Sequence, residues 1–334
     1  MVRFEPERNS PPVIIDGLDL DTDDLDEEGL FEVGSELLES LHLDEAEAIG
    51  GELIRRCYTG GFEIKARALG ARGAYEEAVA VLRKGLEKAP ELSLLWHLLG
   101  NYQGELGEYD ACRASYKRAL SLPRCDADSI RLDWATTELN EGRIEEARKL
   151  VSAVTDPEAA DEVGLFELRA ALQEDAHAQA RELGLALLAP DRVLDPDMIA
   201  VVAATTGIAC LRLGNTDEAR SLAREACQRD SSDDSVQYLI RELHGRMAER
   251  EPGLYHVMVD FAEPSGEESE GYYQRFTVVA ESADEATELA RAYAEWSGRT
   301  GYSVEPAEYI EANSASLAGV YWEGPREYYD DETE

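Results

Sequence analysis

The chain has 334 residues, with 71 acidic against 32 basic side chains and a formal net charge of −39. Such a surface repels phosphates and anionic headgroups, which excludes nucleic acid and membranes as expected partners. Hydrophobic residues make up 44% of the chain, enough to build a core, so the charge does not imply disorder, and the length suits a solenoid plus one further folded part. Met1 to Ser10 carry charges and no apolar core, and no later run has the length of a membrane span, so a cytoplasmic location is expected. Cys57, Cys112, Cys125, Cys210 and Cys227 are odd in number and contain no C-x-x-C pair, and they read as reduced thiols.

Residues 1–26 contain Pro11, Pro12 and most of the acidic run that starts at Asp19, and are expected to be flexible. Asp19, Asp21 and Asp23 have the spacing of the first calcium ligands of an EF-hand. Asp24 stands where the loop needs glycine and Leu30 where it needs glutamate, so the motif fails.

From residue 27 to about 250 the pattern is helical and repetitive. The clearest unit holds Trp96, Leu99, Gly100, Gly107, Tyr109, Cys112, Tyr116, Ala119 and Leu120. One period of about 34 residues earlier stand Gly73, Tyr75, Ala78, Leu82, Gly85, Leu86 and Pro90. Later copies carry Trp134, Ala135, Gly142, Ile144 and Ala147, then Leu168, Ala180 and Pro190, then Gly207, Gly214, Ala219, Ala223 and Ala226, and a weaker first copy has Gly34, Leu37, Ala46 and Leu53. Six units are expected, starting near residues 27, 59, 93, 128, 161 and 200. Each would be a pair of antiparallel helices too small to bury its apolar face alone, stacked into one continuous right-handed array. Glycines 73, 107, 142 and 214 would supply the left-handed turn between the two helices, and Trp96 and Tyr109 are expected to be core aromatics. Val236, Leu239, Ile240 and Leu243 recur at helical spacing and suggest a capping helix within 233–250.

The order of tryptophan, Leu-Gly, turn glycine, aromatic, small residue, aromatic and second small residue resembles the tetratricopeptide repeat (TPR), with Cys112 in place of the usual alanine. The resemblance implies a TPR-type α-solenoid whose first helices line a concave groove. The positions that would face that groove are Glu63 and Arg67, then Leu94, His97 and Asn101, then Leu132, Thr136 and Leu139, then Leu165, Arg169 and Leu172, then Val201, Ala204, Ile208 and Leu211. The candidate partner-binding residues are Arg67, His97, Asn101, Leu132, Thr136, Leu139, Leu165, Arg169 and Ile208. The two-lysine, two-asparagine carboxylate clamp of chaperone-binding members is not present.

After Pro252 the periodicity changes. The runs from Leu254 and from Tyr272 are β-branched and aromatic and read as strands. Ser282 and Glu285 form a capping box before Ala286, Leu289, Ala290 and Tyr293, which share one helix face. Two further strands are expected around Ser303–Ile310 and Leu317–Trp322. The fold class is therefore mainly α, a solenoid of about six helix pairs followed by a small α+β domain (ββαββ) at 253–327 and an acidic tail at 328–334.

No nucleophile elbow, phosphate loop or dinucleotide fingerprint occurs, and no two of the five histidines have the spacing of a helical metal site. The weak catalytic candidates are His256 and Tyr273 on adjacent expected strands. No cofactor, metal or catalytic residue is expected. The function these readings favour is a scaffold or adaptor that holds a protein or peptide in the groove. The alternative is an acidic inhibitor or immunity-type protein that neutralises a basic toxin or nuclease by charge.

Overall fold

The computed structural model describes residues 25–245, 252–262, 271–296, 301–313, 315 and 317–328. Residues 1–24 of the expected acidic segment, 329–334 of the tail, 263–270 between the first two strands and Asp19 to Asp24 of the candidate calcium loop lie outside the described residues. Leu30, the last position of that loop, is fully buried in the first helix.

The chain forms two compact units, residues 1–159 and 160–334. The first holds four helix pairs: α1 (Glu27–Glu39) with α2 (Leu43–Arg55), α3 (Gly60–Ala71) with α4 (Tyr75–Lys88), α5 (Ser93–Glu105) with α6 (Tyr109–Leu120), and α7 (Ala127–Asn140) with α8 (Ile144–Val151). The Asp26 carboxylate accepts from the Gly29 backbone N–H and that of Asp126 from Ser129, which starts α1 and α7 at those residues. Gly73, Gly107 and Gly142 close their first helices at φ of 74°, 70° and 82°, the conformation expected of them. In the first pair Leu41 adopts that conformation (φ 60°) without glycine's freedom, which is why the unit is hard to see as a repeat.

Close backbone approach sets the packing. A methyl group added to Gly61 would lie 2.6 Å from the Gly50 carbonyl oxygen and 2.7 Å from the Ile54 nitrogen, so α2 and α3 meet where neither helix has a side chain. At Gly100 the space is filled by the ring of Tyr116, which is fully buried and stacks on Trp134 with ring centroids 5.9 Å apart. Trp96 and Tyr109 are only half-buried, and the Trp96 indole donates to the Pro90 carbonyl. The enclosed aromatic of this repeat is therefore Tyr116.

The second unit has the pairs α9 (Ala160–Gln173) with α10 (His177–Leu187) and α11 (Pro196–Arg212) with α12 (Thr216–Arg229), then α13 (Asp234–His244). Gly214 turns between α11 and α12 at φ 81°, and Asp175 replaces glycine at the turn after α9 with φ 58°. Strands β1 (Gly253–Ala262) and β2 (Gly271–Ala280) follow, then α14 (Ala283–Trp296), β3 (Tyr302–Val304), β4 (Glu308–Ala312) and β5 (Gly319–Tyr328). The sheet is antiparallel in the order β3-β1-β2-β5, and β4 pairs with the other end of the β1 edge. The single strand expected at 303–310 is thus two. Glu305 donates the last bond, to the Met258 carbonyl, and Pro306 has no N–H to continue.

Tyr255, Val257, Val259 and Phe261 alternate onto the buried face of β1, against Ala286, Leu289, Ala290 and Tyr293 of α14. Ser282 Oγ accepts from the Glu285 N–H, and Glu285 reaches back to the Glu281 N–H, one residue before the expected partner. Helix α13 ends at His244 and β1 begins at Gly253, and side chains of the helices and of the sheet share one core running from Ala200 to Val320. The capping helix does not end in solvent. Arg241 is buried, donates from Nη1 to the Val320 carbonyl at 2.5 Å and lies over the Tyr321 ring.

Candidate interaction surface

In the first unit the expected groove positions Leu94, His97 and Asn101 stand at i, i+3 and i+7 of α5 and share one face of that helix. His97 is buried, with Nε2 2.8 Å from Asp133 Oδ2 on α7. Asn101 Nδ2 donates to the same oxygen at 2.8 Å, and Asn101 Oδ1 accepts from the Tyr116 hydroxyl at 2.8 Å. Two side chains predicted to contact a partner are thus spent inside the protein, holding Asp133. That carboxylate is 45% exposed, and its Oδ1 accepts nothing among the described residues. What this surface offers outward is a fixed acceptor, and Leu94, one helical turn before His97 on α5, is itself 45% exposed. Leu132 and Thr136 on α7 are half-buried and Leu139 is buried.

Asp133 was not among the expected residues, yet it lies 32 positions after Asn101 and 36 after His97. That is about one repeat on, and a search for complementary polar residues one period apart would have found it.

Arg67 is exposed on α3, 3.6 Å from Glu63. Glu63 is buried, and burial pushes its carboxyl pKa up despite the Arg67 charge. Because the folded-state value lies above the unfolded one, the folded chain binds the proton more tightly, and stability falls as pH rises from the ordinary glutamate value through the raised one. Glu63→Gln should therefore raise the melting temperature at neutral pH, with the gain shrinking as pH falls through the raised value and gone once pH is below the usual glutamate range. Thermal scans from pH 4 to 8 read this directly. Glu52 behaves oppositely: burial raises its pKa, but bonds from Arg55 and Arg56 more than offset that and hold it low.

In the second unit Leu165 is half-buried, and Arg169 and Ile208 line a cavity of about 600 Å³ together with residues of α13 and Tyr321 of β5. Arg67, His97, Asn101, Leu132, Thr136 and Leu139 thus belong to one unit, and Leu165, Arg169 and Ile208 to the other.

His256 pairs across the ladder with Thr277, and Tyr273 with Asp260, so these two do not face each other. Burial pushes the Cys112 and Cys210 thiols up to about 11, so both are protonated and poor nucleophiles at neutral pH. Among the described residues no group of three or more histidine, cysteine or acidic side chains is placed to hold a metal ion, and no helix is long and apolar enough to cross a membrane.

The stacked helix pairs define a protein of the helical-repeat class. The tetratricopeptide-repeat family model matches residues 94–124, the α5–α6 pair. Among solved structures, the chain is similar in fold to the APC/C hetero-tetramer Cut9–Hcn1, at 16% identity and a TM-score of 0.54 over 66% of this chain and 43% of that one. It is also similar to the apo form of the quorum sensor NprR from B. thuringiensis, at 15% identity and a TM-score of 0.50 over 67% and 73% of the two chains. The chain therefore spans less than half the length of the first of these. No curated protein matches the sequence. The chain carries a tetratricopeptide-repeat match in a helical fold similar to that of tetratricopeptide-repeat proteins, with a small antiparallel sheet region at its carboxyl-terminal end, a fold that supports a general role in protein–protein interaction.

Proposed function

We propose that the protein is a non-catalytic scaffold of the cytoplasm that binds a partner protein or peptide on the first-helix faces of its repeats, with the 253–327 segment adding a second contact. The observation that carries this reading is the α5–α7 surface. There a half-exposed carboxylate is locked by His97 and Asn101, which share a helix face with the exposed Leu94. An ordered polar anchor next to an apolar side chain is what recognition needs, because little conformational entropy is lost on binding. A partner donating a hydrogen bond or a positive charge to Asp133 while covering Leu94 fits it. Leu132, Thr136 and Arg67 would extend the contact. The acidic exterior supplies solubility and no specificity.

Leu94→Asp is the cleanest test, since an exposed side chain makes no core contact to lose. The variant should keep the wild-type melting temperature and weaken capture of partners from a lysate of the source organism by about tenfold or more, a difference of about 1.4 kcal/mol. Reversing Glu76 and Glu145, exposed on the second helices α4 and α8, should change little. The reading fails if the outer pair matters as much as Leu94, and steep loss of the complex with salt would then favour binding by charge alone.

A further inference from the structure

The second unit contains a cavity of about 600 Å³ whose walls come from four elements: Arg169 and Leu172 of α9, Ile208 of α11, Tyr238 and Arg241 of α13, and Tyr321 of β5. Its size and mixture of apolar walls with a few polar groups are those of a small-ligand site. Three of its polar lining side chains are already committed. The Tyr238 hydroxyl donates to Glu242 and accepts from Arg212, the Tyr321 hydroxyl donates to the Leu317 carbonyl, and Thr205 donates to Val201. The two arginines are not. Arg169 makes no hydrogen bond or ion pair among the described residues. Arg241 is 8% exposed and lies over the Tyr321 ring; among the described residues its Nη1 alone donates a hydrogen bond, and its buried Nε has no partner.

A buried donor without an acceptor is costly, and a buried guanidinium more so. Two acidic side chains stand near. Asp233 is used in capping α13 through the N–H groups of Ser235 and Val236, and Asp234 is exposed at the edge of the cavity. Neither forms an ion pair with the arginines among the described residues; burial pulls both guanidinium pKa values down, although the charges of Asp233 on Arg169 and of Asp234 on Arg241 act to raise them. Guanidinium forks left without acceptors match a carboxylate better than any other common group, because two parallel N–H donors meet two oxygens.

We propose that this cavity is a binding site for a carboxylate carried on a compact apolar body, with Arg169 and Arg241 contacting the carboxylate and Leu172 and Ile208 the apolar part. Either a small organic acid or the free carboxyl terminus of a peptide presents this chemistry. The site is separate from the α5–α7 surface, and its failure would leave the interaction reading standing.

The experiment is calorimetric titration of the full chain with hexanoate and with the tripeptide Ac-Gly-Gly-Leu, prepared both as free acid and as carboxamide. Binding of hexanoate together with the free acid marks a general organic-acid site, and binding of the free acid alone marks a peptide-terminus site. In either case the carboxamide should bind at least tenfold more weakly, and Arg169→Gln should weaken the acid by about as much. An arginine that served only the fold would lower the melting temperature on removal, whereas Arg169→Gln, which deletes a partly buried charge that makes no hydrogen bond among the described residues, should hold or raise it. Arg241→Lys keeps the charge and loses the fork, and should weaken binding while the chain remains folded. The proposal is overturned if neither acid binds, if acid and carboxamide bind equally, or if Arg169→Gln binds as the wild type does.

Discussion

Replacing Tyr116 by alanine should cost the first unit about 3–5 kcal/mol, the range for emptying a fully enclosed aromatic. The ring fills the space that Gly100 leaves open, stacks on Trp134 and has no exposed surface. Its hydroxyl orients Asn101, so the loss also reaches the polar cluster: Asn101 Oδ1 loses its donor, and the hold on Asp133 loosens. Tyr109→Ala and Trp96→Ala should each cost clearly less, because both side chains are half-buried. Thermal or denaturant unfolding of the three variants ranks them. A smaller effect at Tyr116 than at Trp96 would mean that the α5–α6 packing is not as described.

The second large effect is expected at a residue without a side chain. Gly61→Ala would place a methyl group 2.6 Å from the Gly50 carbonyl oxygen and 2.7 Å from both the Ile54 nitrogen and Leu53 Cβ. Two of those three neighbours are backbone, which a rotamer change cannot move, so α2 and α3 must separate, at a cost of about 1–3 kcal/mol or more. Gly51 is the control. It lies in α2 beside Gly50, and nothing comes within 4 Å of a methyl group added there. Gly51→Ala should therefore stabilise by about 0.5–1 kcal/mol through helix propensity alone. Opposite signs from two glycine-to-alanine changes in neighbouring helices would establish the close approach. Equal effects would contradict it.

The helix pairs were legible because their signals are local and repeated. Gly73, Gly107, Gly142 and Gly214 occur one or two repeat periods apart, and each has the left-handed turn that the repeat implies. The pairs that read weakly are those in which Leu41 and Asp175 take that conformation without glycine. Tyr116 could be placed in the repeat but not ranked above Trp96 and Tyr109, since the three differ only in what Gly100 allows nearby. The helix of the carboxyl-terminal segment was legible for similar reasons: Ser282 with Glu285 marks its start and Leu289 with Tyr293 its buried face. The fifth strand was not, because β3 has only three residues and depends on partners in β1 far along the chain.

The candidate surface was half legible. The face of α5 follows from helix spacing, so Leu94, His97 and Asn101 were found together. That His97 and Asn101 turn inward to Asp133 depends on α5 and α7 lying side by side, which shows in the sequence only when polar residues one repeat period apart are compared. Arg241 was hidden more deeply. On its helix it has the look of a solvated residue, and only the sheet that returns to cover α13 makes it buried.

The central claim is that partners bind on the face built from α5 and α7. It is tested most directly by hydrogen–deuterium exchange of the full chain with and without a captured partner. Added protection should concentrate in residues 93–105 and 127–140, and the second helices at 75–88 and 109–120 should exchange as in the free protein. Protection confined to those second helices would contradict it.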